Sequence, residues 1–129
     1  KPENDMIKIH FSGANNSACL VSAKDGKVKM YEYKGDKQPV GYYSSMKPFT
    51  HHEIMAQKGD IMYLFTDGYA DQFGGSRGKK FMSSQLKQHL VSMFELPLHE
   101  QKEKLDKLFM SWQGDLEQID DVTVIGIKL

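Results

Sequence analysis

Residues 59–72 read GDIMYLFTDGYADQ, in which a short apolar run leads to an Asp-Gly pair. Ile61 to Phe65 is an unbroken apolar run of residues that favour β-structure, with a Gly-Asp turn before it and Thr-Asp-Gly after it. Such a run is typical of a strand that is covered on both faces. The C-terminal end of the strand therefore presents Asp67, and Gly68 then allows a tight turn or the close approach of another group.

Asp67 has two interpretations. A carboxylate at the end of a rigid strand is a hard oxygen ligand of the kind that Mg²⁺ or Mn²⁺ binds. Asp-Gly is also a common turn dipeptide, so a purely structural role stays open. Asp60 lies in the turn at the opposite end of the strand and is not a ligand candidate.

A second acidic site lies near the end of the chain. Asp120 and Asp121 directly precede the apolar, β-branched run Val122 to Ile127, which predicts another two-sided strand. If the two strands are antiparallel neighbours, Asp67 and Asp120 lie at the same edge of a sheet. Crowded carboxylates repel one another unless a cation or a proton compensates. The pattern therefore favours a metal site at this edge.

Size, charge and composition exclude several classes of protein. The chain has 129 residues, enough for a hydrophobic core, with 17 basic and 17 acidic side chains and a net charge of zero. The basic residues are scattered, which argues against nucleic-acid binding. No apolar run approaches the roughly 20 residues of a membrane span. The single cysteine, Cys19, lies in an apolar run and is expected to be buried. These features predict a soluble, cytoplasmic domain, which upstream segments of a longer protein could tether to a membrane.

The remaining β-structure is predicted from local patterns. Asp25-Gly26 between two β-like runs indicates a hairpin. Lys34 to Pro48 reads as a connecting loop, and Phe49 to Gln57 is expected to pair with Ile61 to Phe65 across a turn at Lys58-Gly59-Asp60. The predicted strands before these are Met6 to Phe11, Ala18 to Ala23 and Val28 to Tyr33.

Two further patterns suggest ligands and are weighed against simpler explanations. His51 and His52 are adjacent on a predicted strand, so they point to opposite faces and do not converge on one ion. The segment from Phe73 to Lys80 is glycine-rich and basic, but its spacing does not match a P-loop. Two interpretations stay open, a plain solvated loop and a mobile flap in which Arg77 or Lys79 contacts the phosphate or the acidic surface of a protein substrate.

Two one-sided helices are predicted between Phe81 and Gly114. Ser83 or Ser84 is available as the N-cap of the first helix, Pro97 suits the start of the second, and Gly114 suits its C-cap. Strands followed by two adjacent helices and a final strand indicate an α+β fold, with an antiparallel sheet covered by helices.

Several motifs resemble the bacterial metal-dependent serine/threonine phosphatases of the stage II sporulation protein E type, within the PPM family. The motifs are Ser12 to Asn16, Phe65 to Gly68, Asp71 to Gly75, Trp112 to Gly114 and Glu117 to Val124. The resemblance covers nearly the whole chain but matches only the second half of such a domain. It implies antiparallel sheets packed with helices, as in the second half of an α-β-β-α sandwich, with the N-terminal part of the domain missing.

The resemblance also implies a function and a set of site residues. Two Mn²⁺ or Mg²⁺ ions in the complete domain would activate water for hydrolysis of phosphoserine or phosphothreonine on bacterial regulatory proteins. Asp67 and Asp120 would be metal ligands, Asp121 would support Asp120 or take its place, and Gly68 would lie at the metal edge. The parent protein is expected to carry upstream sensory or regulatory domains. A non-catalytic interaction or sensing module that keeps the fold is the alternative.

Two expectations concern the isolated chain. The family's earlier acidic motifs, which supply the aspartate that bridges two metal ions, have no counterpart before Asp67, so the chain alone is expected to be inactive. Missing strands would also leave apolar faces of Ile61 to Phe65 and of Val122 to Ile127 poorly covered. The chain is therefore expected to form a homodimer.

Overall fold

A computed structural model of the chain describes residues 5–41 and 44–129. Within these residues the chain forms strands and helices in an α+β arrangement. The strands are β1 Met6–Phe11, β2 Ala18–Lys24, β3 Lys27–Tyr33, β4 His52–Gln57, β5 Ile61–Phe65, β6 Phe73–Gly74, β7 Lys79–Lys80 and β8 Val124–Lys128. The helices are α1 Gly68–Asp71, α2 Ser83–Ser92 and α3 Leu98–Gln113. Among the described residues, no helix is both long and apolar enough to cross a membrane.

The chain divides into two compact units. The first, called here the sheet unit, comprises Lys1–Phe65 and Ile125–Leu129. The second, called the helical unit, comprises Thr66–Val124.

The sheet unit is built from two antiparallel arrangements. Strands β1 and β4 pair over their whole length, from Met6 opposite Gln57 to Phe11 opposite His52. The other sheet has the order β3-β2-β5-β8. Side chains from β2, β4 and β5 form one core, so the two sheets pack against each other. The buried members of this core are Ala18, Leu20, Ile54, Ala56 and Met62.

The predicted hairpin is confirmed. Strands β2 and β3 are antiparallel, with Lys24 opposite Lys27 across the turn. Asp25 and Gly26 at the turn both have positive φ angles, 53° and 74°. Two positive φ angles are the requirement of the type I′ turn, whose twist matches that of the flanking strands. Cys19 in β2 is fully buried, as its apolar surroundings predicted.

The predicted pairing of β4 with β5 is wrong. Strand β4 pairs with β1, while β5 lies between β2 and β8, so both edges of β5 are already occupied. The turn at Lys58-Gly59-Asp60 carries the chain from one sheet to the other. Asp60 fixes this turn from a buried position, because its carboxylate accepts hydrogen bonds from the Gln57 amide at 2.8 Å and the Ser22 hydroxyl at 2.8 Å.

Coverage of the two acid-bearing strands differs from expectation. Ile61, Met62 and Tyr63 of β5 are buried, as the two-sided pattern predicted, so the expectation that β5 is poorly covered is wrong. Strand β8 is an edge strand and begins at Val124, two residues later than predicted. Its Ile125 and Ile127 are 47% and 45% exposed, so this strand is not covered on both faces. Residues two positions apart on a strand point to the same face of the sheet, so one face of β8 is only partly covered.

The predicted loop from Lys34 to Pro48 is confirmed where it is described. Tyr42 and Tyr43 lie outside the described residues, and the rest of this stretch contains no strand, only an isolated bridge between Ala14 and Asp36. Asp36 also accepts hydrogen bonds from the amide and the hydroxyl of Thr50, at 2.6 and 2.7 Å. These two bonds hold the pKa of the Asp36 carboxyl below its ordinary value.

The helical unit contains the two predicted helices with one correction at their ends. The N-cap of α2 is Met82, at a φ of 83°, and its side chain makes no capping hydrogen bond within the described residues. Ser83 and Ser84 lie inside the helix, so the predicted serine cap is wrong. Pro97 precedes α3 as predicted, and Gly114 ends it with a φ of 55° and an amide bonded to the Met110 carbonyl at 3.0 Å.

Aromatic side chains form the core of the helical unit. The ring of Tyr69 in α1 packs against Phe81 and Phe109, with centroid separations of 5.3 and 5.0 Å. Phe81 also contacts Trp112 edge to face at 5.4 Å. Edge-to-face pairs of this kind add roughly 0.5–1.5 kcal/mol each beyond area burial. The core therefore joins the short helix α1 to α3.

Candidate functional site

The predicted meeting of the two acidic strand ends is confirmed by backbone hydrogen bonds. The Leu129 amide donates to the Asp60 carbonyl at 2.9 Å, at the start of β5. The Thr66 amide donates to the Thr123 carbonyl at 3.0 Å, at its end. Because the chain numbers run in opposite directions along this pair, β5 and β8 are antiparallel neighbours. The residues that follow β5 and those that precede β8 therefore share one edge.

The two acid-bearing segments are in direct backbone contact. A Cβ atom placed on Gly68 would lie 2.0 Å from the Asp121 carbonyl oxygen and 3.3 Å from the Val122 Cα. The Thr66 hydroxyl donates to the Asp121 carbonyl at 3.4 Å and accepts from the Thr123 amide at 3.2 Å. Only glycine permits this approach, because any side chain would force the segments apart.

All three candidate carboxylates are exposed to solvent. Asp67 is the N-cap residue of α1, and its side chain makes no capping hydrogen bond in the part of the chain that the structure describes. The Asp67 carboxylate is therefore not occupied by its own helix. Asp120 accepts a hydrogen bond from the Asp121 amide at 2.7 Å through Oδ1. This bond fixes the local conformation of the Asp-Asp pair.

Gln72, which sequence reasoning did not single out, is a buried connection within this region. It is fully buried, and its Nε2 donates to the carbonyls of Phe73 at 3.0 Å and Glu117 at 2.9 Å. Its own carbonyl accepts from the Trp112 indole at 2.8 Å and the Phe81 amide at 3.0 Å. The residue types in the sequence carry no signal for this role, since a glutamine after a helical turn is ordinarily exposed.

Tyr69 fixes α1 to the following helix. Its hydroxyl donates to the Leu105 carbonyl at 2.7 Å. Burial, with a smaller contribution from the negative charge of Asp106, raises the pKa of the Tyr69 phenol well above its ordinary value. Tyr69 therefore remains a protonated hydrogen-bond donor at neutral pH, and it holds the helix that starts at Asp67.

The glycine-rich segment forms a small hairpin. Strands β6 and β7 pair, and the Gly75 amide donates to the Trp112 carbonyl at 2.9 Å, which attaches the hairpin to α3. Lys80 forms an ion pair with Asp71 at 3.6 Å. Arg77 and Lys79 are exposed, and within the described residues neither has an ion pair with the acids. Their predicted contact with substrate stays a prediction.

The two adjacent histidines have separate partners, and β4 begins at His52, three residues later than predicted, so His51 lies before the strand. His51 Nε2 lies 2.8 Å from His10 Nδ1, and His52 Nε2 lies 2.9 Å from the Lys34 carbonyl oxygen. Side chains that engage different neighbours do not form one metal site.

The donor chemistry of the acidic edge fits Mg²⁺ or Mn²⁺ as part of a ligand set. Asp67, Asp120 and Asp121 offer hard carboxylate oxygens that face solvent, next to a backbone contact that only glycine allows. Across residues 5–41 and 44–129, however, no group of three or more His, Cys, Asp or Glu side chains is arranged to hold a metal ion. The edge is therefore suited to supply some ligands and not a complete shell.

Comparison with known proteins identifies similar sequences and folds. Residues 4–129 match the family model described as Stage II sporulation protein E (SpoIIE). A solved structure titled "SiaA-PP2C domain of Pseudomonas aeruginosa" is 30% identical in sequence and superposes with a TM-score of 0.82. The match covers 95% of this chain and 46% of that chain, so this chain spans about half the length of the similar structure. A comparison with curated proteins finds no match. The predicted α+β class and the predicted resemblance are both confirmed.

Proposed function

Because the chain belongs to the stage II sporulation protein E family, we propose that it forms part of a metal-dependent serine/threonine protein phosphatase. The observation that supports this proposal most directly is the contact between the two acid-bearing segments at Gly68 and Asp121. This contact joins the end of one strand to the start of its neighbour, so Asp67 and the Asp120–Asp121 pair lie at one edge.

In this proposal each acidic residue has a defined task. Asp67 and Asp120 hold Mn²⁺ or Mg²⁺, and Asp121 supports Asp120 or takes its place. When bound, the metal supplies activated water for attack on a phosphate ester. Gly68 keeps the two segments close enough for both carboxylates to act at one place. The complete ligand shell requires further donors, consistent with a chain that spans about half of the similar structure.

The substrates we propose are phosphoserine and phosphothreonine side chains on bacterial regulatory proteins. The exposed Arg77 and Lys79 are suited to contact a phosphate group or an acidic protein surface, since cationic side chains form strong charge-assisted hydrogen bonds with phosphate. We further propose that the parent protein acts in the cytoplasm, where its other segments would receive a signal.

The test uses a complete parent protein, a phosphoserine peptide and Mn²⁺. We expect Asp67→Asn and Asp120→Asn to abolish turnover with little loss of stability, because removing one carboxylate from a crowded edge relieves repulsion in the metal-free protein. His51→Ala, in the sheet unit, should leave activity nearly intact. Glu103→Gln removes an exposed carboxylate from α3 and serves as the matched control.

The outcomes separate the two candidate functions. If the asparagine variants retain activity, or His51→Ala is the more damaging change, the ligand assignment is wrong. If the parent binds phosphopeptide but does not hydrolyse it at any Mn²⁺ concentration, the fold serves as an interaction or sensing module.

A further inference from the structure

The short helix α1 connects Asp67 rigidly to a buried glutamine. Asp67 is the N-cap of α1 and Gln72 is its C-cap, where the Gln72 amide donates to the Tyr69 carbonyl. The helix is a single turn and is held by the buried ring of Tyr69. The position of Gln72 relative to Asp67 is therefore set by one turn that the buried Tyr69 ring anchors.

The side chain of Gln72 reaches the segment that carries the other acids. Its Nε2 donates to the Glu117 carbonyl at 2.9 Å, three residues before Asp120. Within that segment, Gln118 Nε2 donates to the Asp120 carbonyl at 2.9 Å. On the far side of the acids, Thr66 binds the backbone of Thr123. The segment from Glu117 to Thr123 is thus held at its first and its last residue.

Gln72 is itself fixed by its backbone. Its carbonyl oxygen accepts hydrogen bonds from the Trp112 indole at 2.8 Å and the Phe81 amide at 3.0 Å. Two acceptor contacts from the core of the helical unit leave the residue little freedom to move. The side-chain amide of Gln72 therefore connects the core of the helical unit to the acidic segment.

The second polar atom of this side chain has a cost. Gln72 Oε1 is buried and has no hydrogen-bond partner among the described residues. Burying an unpaired acceptor is unfavourable, and an apolar side chain of similar size would avoid that cost. A glutamine is therefore suited to this position only through the two N–H groups that it donates, to Phe73 and to Glu117.

We propose that Gln72 is a positioning residue, which sets the location of Asp120 relative to Asp67 by holding the segment from Glu117 to Thr123. The inference rests on the proposed metal-binding function of these acids. It assigns to Gln72 no contact with metal or substrate.

The test compares Gln72→Leu with Gln101→Leu in the 129-residue chain. Gln101 is also buried in the helical unit, and its Nε2 donates to the carbonyls of Met93 at 2.9 Å and Leu96 at 3.0 Å. Both substitutions thus remove two donated hydrogen bonds from the same unit. These two bonds of the Gln101 amide end at Met93 and Leu96, whereas one of the two Gln72 bonds ends at Glu117 in the acidic segment.

Two measurements are made on each variant by NMR. The first is hydrogen exchange at the amides of Asp121 and Thr123, which needs no metal. The second is the broadening of the Asp67 and Asp120 amide signals during titration with MnCl₂. We expect Gln72→Leu to accelerate exchange at both amides by about tenfold, and to raise the Mn²⁺ concentration for half-maximal broadening by a similar factor. Gln101→Leu should change neither.

Each other outcome has one meaning. Equal effects of the two leucine variants, or unchanged exchange in Gln72→Leu, would overturn the positioning role. No Mn²⁺ broadening in the unmodified chain would count against the proposed function, while the exchange measurement would still decide the role of Gln72. If Gln72→Leu does not fold, Gln72→Met replaces it, since methionine adapts to irregular space. If neither folds while Gln101→Leu does, Gln72 belongs to the core alone and the proposal fails.

Discussion

Substitution of Gly68 by alanine tests the contact on which the candidate site depends. The added Cβ would lie 2.0 Å from the Asp121 carbonyl oxygen and 2.8 Å from its carbon. Real Cβ contacts are essentially never shorter than 3.0 Å, so the two segments must separate by about 1 Å before the closest tolerable contact is reached. Both atoms belong to the backbone, so no side chain can rotate away to relieve the clash.

The expected cost combines two opposing effects. Overpacking of a well-packed site typically costs about 1–3 kcal/mol. Replacing glycine by alanine in an unstrained position raises the free energy of unfolding by roughly 0.4–1 kcal/mol, because alanine reduces the conformational entropy of the unfolded chain. We therefore expect Gly68→Ala to lower the free energy of unfolding by about 1–2 kcal/mol and to displace Asp121 from Asp67.

The assay is urea unfolding followed by circular dichroism, together with the amide spectrum of the folded protein. Gly114→Ala is the control, since Gly114 has a φ of 55° and no atom of the described residues lies within 4 Å of its added Cβ. That variant should lose about 1–3 kcal/mol through backbone strain alone, because a φ of 55° with a ψ of −123° is a conformation that essentially only glycine adopts, and the Asp67 and Asp121 amide signals should stay unchanged. If Gly68→Ala is as stable as the unmodified chain and its Asp121 signal does not move, the proposed close approach is refuted.

Three further predictions concern the isolated chain. With Mn²⁺ and a chromogenic phosphate ester we expect no appreciable turnover, because an incomplete ligand shell does not position the reacting groups; activity comparable to a complete family member would contradict this. Sedimentation equilibrium should show a homodimer, since Ile125 and Ile127 on the edge strand are exposed; a clean monomer at ~100 µM would exclude it. The third prediction concerns the stability of the protein at low pH. The pKa of Asp36 is lowered by hydrogen bonds from Thr50, so its stabilising contribution is present above the ordinary value of 3.8 and is lost as the pH falls through the lowered pKa. Asp36→Asn should therefore reduce stability at pH 7, with a difference that shrinks on acidification, and a pH-independent difference between the two proteins would contradict the assignment.

Local patterns predicted most of the individual elements. The β2–β3 hairpin follows from Asp25-Gly26, and β5 has the predicted bounds, because turn chemistry and an apolar run act over a few neighbouring residues. The shared edge of Asp67 and Asp120 was also predicted, because the sequence shows that Asp67 follows its strand and that Asp120 precedes its own.

Features that depend on distant partners were not predicted. The pairing of β4 with β1 in place of β5 is decided by which edges remain available in the assembled sheets. The single turn of α1 is too short to show helical periodicity. The role of Gln72 depends on Glu117 and Trp112, which are far away in sequence and meet it only after folding. Nothing in the local composition encodes such contacts.

The hydrogen bond from Thr66 to Thr123 has a consequence for how this fold can vary. These residues lie at the two ends of the helical unit, so their hydrogen bond closes the segment between them into one long loop. Extra residues inserted away from the closing hydrogen bond add little entropic cost and leave that bond in place. Gly78 and Gly114 lie in exposed turns of this closed segment, where extra residues or an inserted reporter domain would be accommodated. The acidic edge beside this hydrogen bond can thus stay constant while the rest of the helical unit changes in length and in binding specificity.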